Sequence, residues 1–389
     1  MRQRWGFVSG DILRFFKKCV KSHVRADRGE PLPDGCPFPQ SPSHKEKTLV
    51  AAKVRIAMMS MAHAHADGYA RQVTQLPDAE LVCIWDDMRE RGKPAAEKYG
   101  VPYLGGKMEE ALDRKDVDAI VVDAPTAQHK EIYLKAIERK KHVFTEKALT
   151  ITTKDADEVV AAVKRSSIKF TISLPSRTRG ENLLIKQLVD DGMLGQITMI
   201  RARVAHQAAI DAWFKGGQMW FVDEKAAGGG AMFDLGCHTT DMVRWIMGPP
   251  KYAVAQMNNF SGTYQIDDNG VAVVEFENKG LGILDTSFCH RSGPNLFEVF
   301  GTEGYVGRGL PGLGLIVQSR KMRPAEGMDA MFTPTKLPDN KPSIMEAWIS
   351  AILKDTPLIT TVEDGRNLTQ MLEGCYLAWR TGKRFEFGK

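Results

Sequence analysis

No apolar run in the chain approaches the roughly 20 residues that a membrane-spanning helix needs, so a helical membrane class is excluded. Paired cysteines are also missing: Cys19, Cys36, Cys83, Cys237, Cys289 and Cys375 are scattered, with no CxxC spacing. A disulfide framework or a zinc ribbon needs closer pairing, so the expectation is a reduced, cytoplasmic chain. The body of the chain has no charge bias. Residues 1–50 hold ten Lys/Arg against five Asp/Glu, and the remainder carries 43 of each. A nucleic-acid-binding body would carry a basic face of its own, so nucleic acid is not an expected partner. Glycine is absent where it would be most diagnostic. The turn Met59-Ser60-Met61-Ala62-His63-Ala64-His65 follows an apolar run and precedes a helix-like stretch, yet it holds two histidines and no glycine.

What remains is a chain of 389 residues, 43% hydrophobic and 26% charged, with room for two domains. Residues 9–22 have an amphipathic pattern and are followed by the Pro-rich PLPDGCPFPQSPS. Residues 1–50 are therefore expected to form a basic, loosely ordered extension. From residue 53 the rhythm is regular. The runs KVRIAMMS, ELVCIWD, VDAIVVDAP, HVFTEKA and IKFTISLP alternate with amphipathic stretches. Strands that are apolar throughout belong in a parallel sheet covered on both faces, so residues 51–173 are expected to be a doubly wound α/β domain. Past residue 175 long β-rich stretches follow one another, joined by NKG and GTEG. These predict hairpins, and residues 174–389 are expected to be an α+β domain with a large, mainly antiparallel sheet.

Four places carry chemistry. Asp86 ends the second strand about 20 residues past the first turn, where an acid accepts hydrogen bonds from an adenosine ribose. Arg89 and Arg91 follow it, so a 2′-phosphate stays open. Glu146-Lys147-Ala148 follows the strand HVFT, at the carboxyl edge of the sheet where ligands bind. There Lys147 is either a surface charge or a donor to a substrate oxygen. In GGGAMFDLGCHTTDMVRW, residues 228–245, Asp234 stands four residues before His238, and Thr239 or Thr240 is placed to start a helix. A carboxylate beside a histidine raises its basicity, as a general base requires. Finally Ala124-Pro125-Thr126-Ala127-Gln128-His129 is a second strand-to-helix turn on the same edge. The histidine pair of the first turn is compatible with a metal, but no carboxylate or cysteine stands near it in sequence, and none is expected there.

Taken in order, these features resemble the Gfo/Idh/MocA family of nicotinamide-dependent oxidoreductases, from about residue 53 to the C-terminus. The family's "TPxxxH", "EKP" and "GGGxxxDxGxHxxD" patterns correspond to residues 124–129, to Glu146-Lys147-Ala148, and to Gly228-Gly229-Gly230 with Asp234, Gly236, His238 and Asp241. The resemblance implies a Rossmann domain followed by an α+β domain whose open sheet makes homo-oligomer contacts. It implies NAD as cofactor, with NADP as the variant, and hydride transfer at a secondary hydroxyl of a sugar, polyol or glycoside. Two other outcomes are a glycosidase or lyase that oxidises C3 transiently, and a non-catalytic NAD sensor. Lys147, Asp234 and His238 would be catalytic. Cofactor contacts would come from Ser60, Met61, Ala62, His65, Asp86, Arg91, Pro125, Thr126, His129, Glu146, Lys147 and Arg177. Ser60 and Ala62 would replace glycines at negative φ. His206, Trp213, Trp220 and Tyr264 would line the substrate site.

Overall fold

The apolar runs of the first half form six strands: β1 (Val54–Met59), β2 (Ala79–Trp85), β3 (Tyr103–Leu104), β4 (Ala119–Val122), β5 (His142–Thr145) and β6 (Phe170–Ile172). The computed structural model describes residues 53–322 and 331–388; the extension expected over residues 1–50 lies outside them. All six strands run parallel in the order β3-β2-β1-β4-β5-β6. Every residue of β4 is buried, as a strand covered on both faces must be. Between them lie α1 (Ala66–Gln75), α2 (Arg89–Tyr99), α3 (Glu109–Leu112), α4 (His129–Glu138) and α5 (Thr153–Lys164). Thr152 caps α5 by accepting the Asp155 N–H, and Gly100, at φ 66°, closes α2. The strand order reverses between β1 and β4, which opens a crevice at their carboxyl ends.

The second half contributes α6 (Gly180–Asp190), β7 (Ile197–Ala205), α7 (Glu224–Ala227), α8 (Ala231–Asp234) and α9 (Cys237–Met247). Strands β8 (Pro250–Asn258), β9 (Asn269–Phe276), β10 (Leu281–Ser287), β11 (Phe297–Gly301), β12 (Gly304–Arg308), β13 (Ile316–Ser319) and β14 (Phe385–Glu386) complete an eight-stranded sheet. Its order is β13-β12-β11-β7-β10-β9-β8-β14, antiparallel except between β7 and β10. The NKG and GTEG turns join β9 to β10 and β11 to β12, as their composition predicts.

Two late helices, α10 (Ile344–Lys354) and α11 (Val362–Thr381), both begin with a capping box. They tie the sheets together. α10 departs from the expected grouping of residues 174–389. Its Ile344, Met345, Trp348 and Ile349 bury against Ile56, Met58 and Phe144 of the first sheet, and the Trp348 indole donates to the Lys169 carbonyl at 3.0 Å. The apolar underside of β1, β5 and β6 needs a cover, and the chain returns to supply it.

Candidate active site at the carboxyl edge of the first sheet

The turn after β1 does what a glycine turn does, by other means. Ser60 has φ 76°, left-handed backbone, not the negative φ expected of a non-glycine substitute. The turn demands that conformation, and side-chain bonds hold it there. Ser60 Oγ donates to Asp86 at 3.2 Å and accepts the Ala62 N–H at 3.2 Å. An L-residue in this region carries about 1–2 kcal/mol of strain. Ser60→Val keeps the strain, adds a branched side chain and removes the hydroxyl. It is expected to lower stability by about 2–3 kcal/mol in urea melts, whereas Ser60→Gly stays within about 1 kcal/mol of wild type.

Asp86 differs from its expected role. The carboxylate is fully buried and saturated. It accepts from the Met61 N–H at 2.7 Å, the Met88 N–H at 2.7 Å, Ser60, and the Arg91 guanidinium at 2.8 Å. It braces the turn from below through these bonds. Arg91 also pairs with Asp87 at 2.7 Å and reaches Ser60 Oγ at 3.3 Å. Asp87 and Arg91 stand on the open side of the turn. They line a cleft of about 440 Å³ together with Met88, Pro125, Trp220 and Asp223. Thr126 is buried beneath it in a short 3₁₀ turn, Thr126–Gln128, and makes no side-chain cap.

Glu146, at the end of β5, gathers the two histidines of the first turn. His65 Nδ1 lies 2.9 Å from Glu146 Oε1, and His63 Nε2 lies 3.9 Å from Oε2. Tyr69 donates to the same carboxylate, and the Lys147 N–H donates to Oε2 at 3.0 Å. The carboxylate partner that sequence proximity did not supply thus arrives from 81 residues away. Burial opposes ionisation of Glu146, but the His65 bond and the Lys147 charge help to hold its pKa well below the usual value. Its bond to Glu146 raises the pKa of His65, so this ring is engaged with Glu146. Beside them Asp123, wholly buried at the end of β4, has neither oxygen hydrogen-bonded. Burial first, and then the Glu146 charge, push its pKa well above the usual carboxylate value.

Lys147 crosses to the second half of the chain. Its ammonium donates to Asp234 Oδ1 at 2.7 Å and to the Asp234 carbonyl at 3.0 Å. Burial alone would discharge this lysine; Asp234 overrides it and the pKa is raised. Asp234 is correspondingly lowered, so both remain charged. The Lys147–Ala148 peptide is cis. Asp234 accepts from Lys147, and its charge raises the His238 pKa less than burial and the Lys147 charge lower it. His238 has its pKa lowered to about 4, by burial first and then by the Lys147 charge. The spacing suggested raised basicity; the structure gives a ring that is neutral throughout the physiological range.

The segment carrying Asp234 and His238 is held by close approach. A Cβ on Gly230 would lie 1.9 Å from the Asp267 carbonyl, and one on Gly236 would lie 2.4 Å from the Met232 carbonyl. Asp267 accepts the Gly230 N–H at 2.7 Å and the Met232 N–H at 3.2 Å, while Tyr376 donates to it at 2.7 Å. Burial pushes Asp267 up to about 6. No local pattern in QIDDNG pointed to this clamp. Gly236, not Thr239 or Thr240, occupies the N-cap of α9; Thr239 Oγ1 bonds back to the Gly236 carbonyl at 3.0 Å.

Three other expected contacts lie elsewhere. His129 is buried under the edge, with Nε2 2.9 Å from the Ala124 carbonyl and Nδ1 3.0 Å from that of Ala148. It pins two strand-end loops together and is shielded from any ligand. Arg177 pairs with Asp241 at 2.6 Å and Asp364 at 2.7 Å, both inside the protein. The Tyr264 hydroxyl donates to the Phe214 carbonyl and accepts the Phe214 N–H, both at 3.0 Å, so its proton is spent within the protein. Trp220 reaches the cofactor side, where its indole donates to the Ala62 carbonyl at 3.1 Å. His206 stacks between Trp213 and Phe288, at 4.8 and 5.1 Å, and Trp213 remains exposed.

A dinucleotide fits this edge. The first turn is built of small residues in a left-handed bend. Asp86 braces it, and His63 Nε2, buried inside it, has no hydrogen-bond partner among the described residues.

Residues 55–173 match the family model described as "Oxidoreductase family, NAD-binding Rossmann fold", and residues 183–307 match the GFO/IDH/MocA C-terminal domain. The 1,5-anhydro-D-fructose reductase of Ensifer adhaerens is 29% identical over 234 residues, 59% of this chain and 69% of that protein. The D-glucoside 3-dehydrogenase of Escherichia coli K12 is 22% identical over 358 residues, 88% of this chain and 99% of that one. A levoglucosan dehydrogenase solved with NADH and L-sorbose superposes with a TM-score of 0.75 at 17% identity, covering 86% of this chain and 98% of that one. The chain belongs to the Gfo/Idh/MocA family of oxidoreductases and is an NAD-dependent dehydrogenase.

Proposed function

We propose that the protein transfers hydride between NAD and one secondary hydroxyl of a sugar, polyol or glycoside. The observation that carries this reading is the buried Lys147–Asp234 ion pair in the same crevice as the uncharged ring of His238. Of the three protons on the Lys147 ammonium, two are spent on Asp234, and the third is free to hold a substrate oxygen. That bond strengthens as the oxygen gains negative charge, so it favours the transition state over the ground state. His238, uncharged, takes the hydroxyl proton as the C–H bond breaks. Bound nicotinamide supplies the acceptor for the hydride and its two electrons, leaving a carbonyl on the substrate. Trp213, backed by His206, offers an exposed aromatic face against which a sugar ring can stack. The relatives named for anhydrosugars and glucosides support the same substrate class.

NAD is favoured over NADP because Arg91 is already neutralised by Asp86 and Asp87, and a 2′-phosphate would meet the exposed Asp87 carboxylate. The test is a screen of methyl glycosides, inositols and anhydro sugars with each cofactor, followed by the absorbance of reduced nicotinamide. Accumulation supports net dehydrogenation. Release of aglycone with no accumulation shifts the reading to transient oxidation.

His238 sets the acid limb of the pH profile. The base must be neutral to act, and its protonated form is disfavoured by burial and by Lys147. Lowering the pH therefore silences it only near pH 4, well below the range of an ordinary histidine. The expected profile of kcat/KM against pH is flat through pH 6 and falls towards about 4. His238→Ala is expected to lose about 10²–10⁴-fold and its acid limb with it. A wild-type limb at pH 6 to 7 would overturn the assignment.

We further propose a homo-oligomer through the outer face of the second sheet. Val254, Val273 and Ile283 sit opposite one another across β8, β9 and β10, and Val254 and Val271 are exposed. Sedimentation velocity is expected to show an oligomer that Val254→Lys with Val271→Lys dissociates; a monomeric wild type would refute it.

A further inference from the structure

His63 has one donor that the protein does not use. The ring is buried, enclosed by Phe221, Trp220 and His65 with centroids at 5.1, 6.1 and 4.7 Å. Nδ1 accepts the backbone N–H of His65 at 3.1 Å. A nitrogen that faces an N–H keeps its lone pair, so in the neutral ring the proton sits on Nε2. Burial keeps the ring neutral, with its pKa lowered to about 3. Nε2–H is thus a donor, and it has no hydrogen-bond partner among the described residues.

The nearest acceptor is Glu146 Oε2, 3.9 Å away and outside hydrogen-bond range. That oxygen accepts the Lys147 N–H and has a further lone pair to offer. A donor and an acceptor therefore lie side by side, at a separation that one oxygen off their line can bridge from about 2.8 Å to each. The oxygen must accept from His63 and donate to Glu146, and that is the signature of a hydroxyl. A phosphate oxygen cannot donate and would be repelled by Glu146. A metal ion is also disfavoured, although the ligand atoms of His63, His65 and Glu146 lie within 4.8 Å of one another. To bind a cation through Nε2, the ring would have to carry its proton on Nδ1, where the His65 N–H already points.

We propose that His63 and Glu146 bind a single sugar hydroxyl between them, either from the nicotinamide ribose or from the sugar undergoing oxidation. The assignment rests on the function proposed above and makes His63 a ligand-binding residue in its own right. It also gives the glycine-free turn a purpose: the chain exchanges a bare backbone cradle for a side chain that recognises a hydroxyl.

His63→Phe keeps an aromatic ring beside Trp220 and Phe221 and removes the Nε2 donor, together with the Nδ1 acceptor of the His65 N–H. Calorimetry on the full-length protein would compare NAD, ADP-ribose and AMP, and then methyl α-D-glucopyranoside added to protein saturated with NAD. If the hydroxyl belongs to the nicotinamide ribose, NAD and ADP-ribose weaken by roughly tenfold and AMP does not change. If it belongs to the substrate, the dinucleotides are unaffected and the glucoside weakens by a similar factor. Affinities within twofold of wild type for all four would overturn the proposal. Should the variant fail to fold, the ¹⁵N histidine spectrum of the wild type decides. A His63 tautomer protonated on Nε2, with a resonance that moves on adding NAD or the glucoside, supports it. A proton on Nδ1, or a resonance that neither moves, overturns it. A wild-type protein that binds no NAD removes the proposed function itself, a result distinct from any of these.

Discussion

Lys147→Ala is expected to reduce kcat by about three orders of magnitude while leaving the affinity for NAD within a few-fold of wild type. The magnitude follows from what the ammonium does. It is buried, kept charged by Asp234, and has one N–H left for the reacting oxygen. Removing a pre-aimed charged donor from a dry site costs about 10²–10³-fold in comparable cases. Here the loss falls at the upper end, because the deletion also leaves the Asp234 negative charge unpaired near the developing alkoxide. The same unpaired charge costs stability. Asp234 loses its only cation, and a shift of about 1–3 kcal/mol in urea unfolding is expected alongside the kinetic loss. Lys147→Arg preserves charge but not shape. The planar guanidinium cannot divide its protons between Asp234 and a substrate oxygen in the same small space, so its activity is expected to stay below one hundredth of wild type. Retention of more than a tenth of kcat in Lys147→Ala would mean that the Lys147–Asp234 pair is structural, and the catalytic reading of the crevice would fall.

The parts of this site that sequence made legible are those set by local pattern. Alternating apolar runs and amphipathic stretches gave the first sheet, because a covered parallel strand must be apolar on both faces. NKG and GTEG gave the hairpins of the second sheet. The order of Glu146-Lys147, the glycine triplet and Asp234 through His238 pointed to the groups proposed as catalytic, since each lies at a strand end or a helix start. What escaped depended on partners distant in the chain. Ser60 is left-handed because Asp86 and Arg91 hold its hydroxyl, a tertiary constraint that spacing does not encode. Asp86 stands in the ribose-binding position but is occupied by Met61, Met88 and Arg91, so position did not give its use. Asp234 and His238 are four residues apart, yet the decisive charge on both is Lys147, from the other sheet. Tyr264 and His129 are polar residues near a site, a description that fits ligands and braces equally. Their saturated hydrogen bonds decide between the two.

Arg177 shows the same distinction at its sharpest, and Arg177→Ala is expected to be the most destabilising substitution considered, by about 3–5 kcal/mol, with NAD affinity unchanged within twofold. The side chain is almost wholly buried and forks between two carboxylates, Asp241 on α9 and Asp364 in the capping box of α11. It also packs over the Trp245 ring at 5.5 Å. The 3₁₀ turn Pro175–Thr178, α9 and α11 thus meet on one cation. Removing it leaves Asp241 buried with no charge partner. Burial already raises the pKa of Asp241 despite Arg177, so the variant relieves its strain by taking up a proton. The folded variant then binds more protons than its unfolded chain, and its deficit must shrink as the pH falls from 8 towards 5. Urea unfolding at several pH values reads this slope directly. Arg177→Met with Asp241→Asn, which removes both buried charges, is expected to recover much of the loss at neutral pH. A variant of wild-type stability with weakened NAD binding would return Arg177 to the cofactor; a pH-dependent stability loss with intact NAD binding makes it the cation on which the catalytic helix is hung.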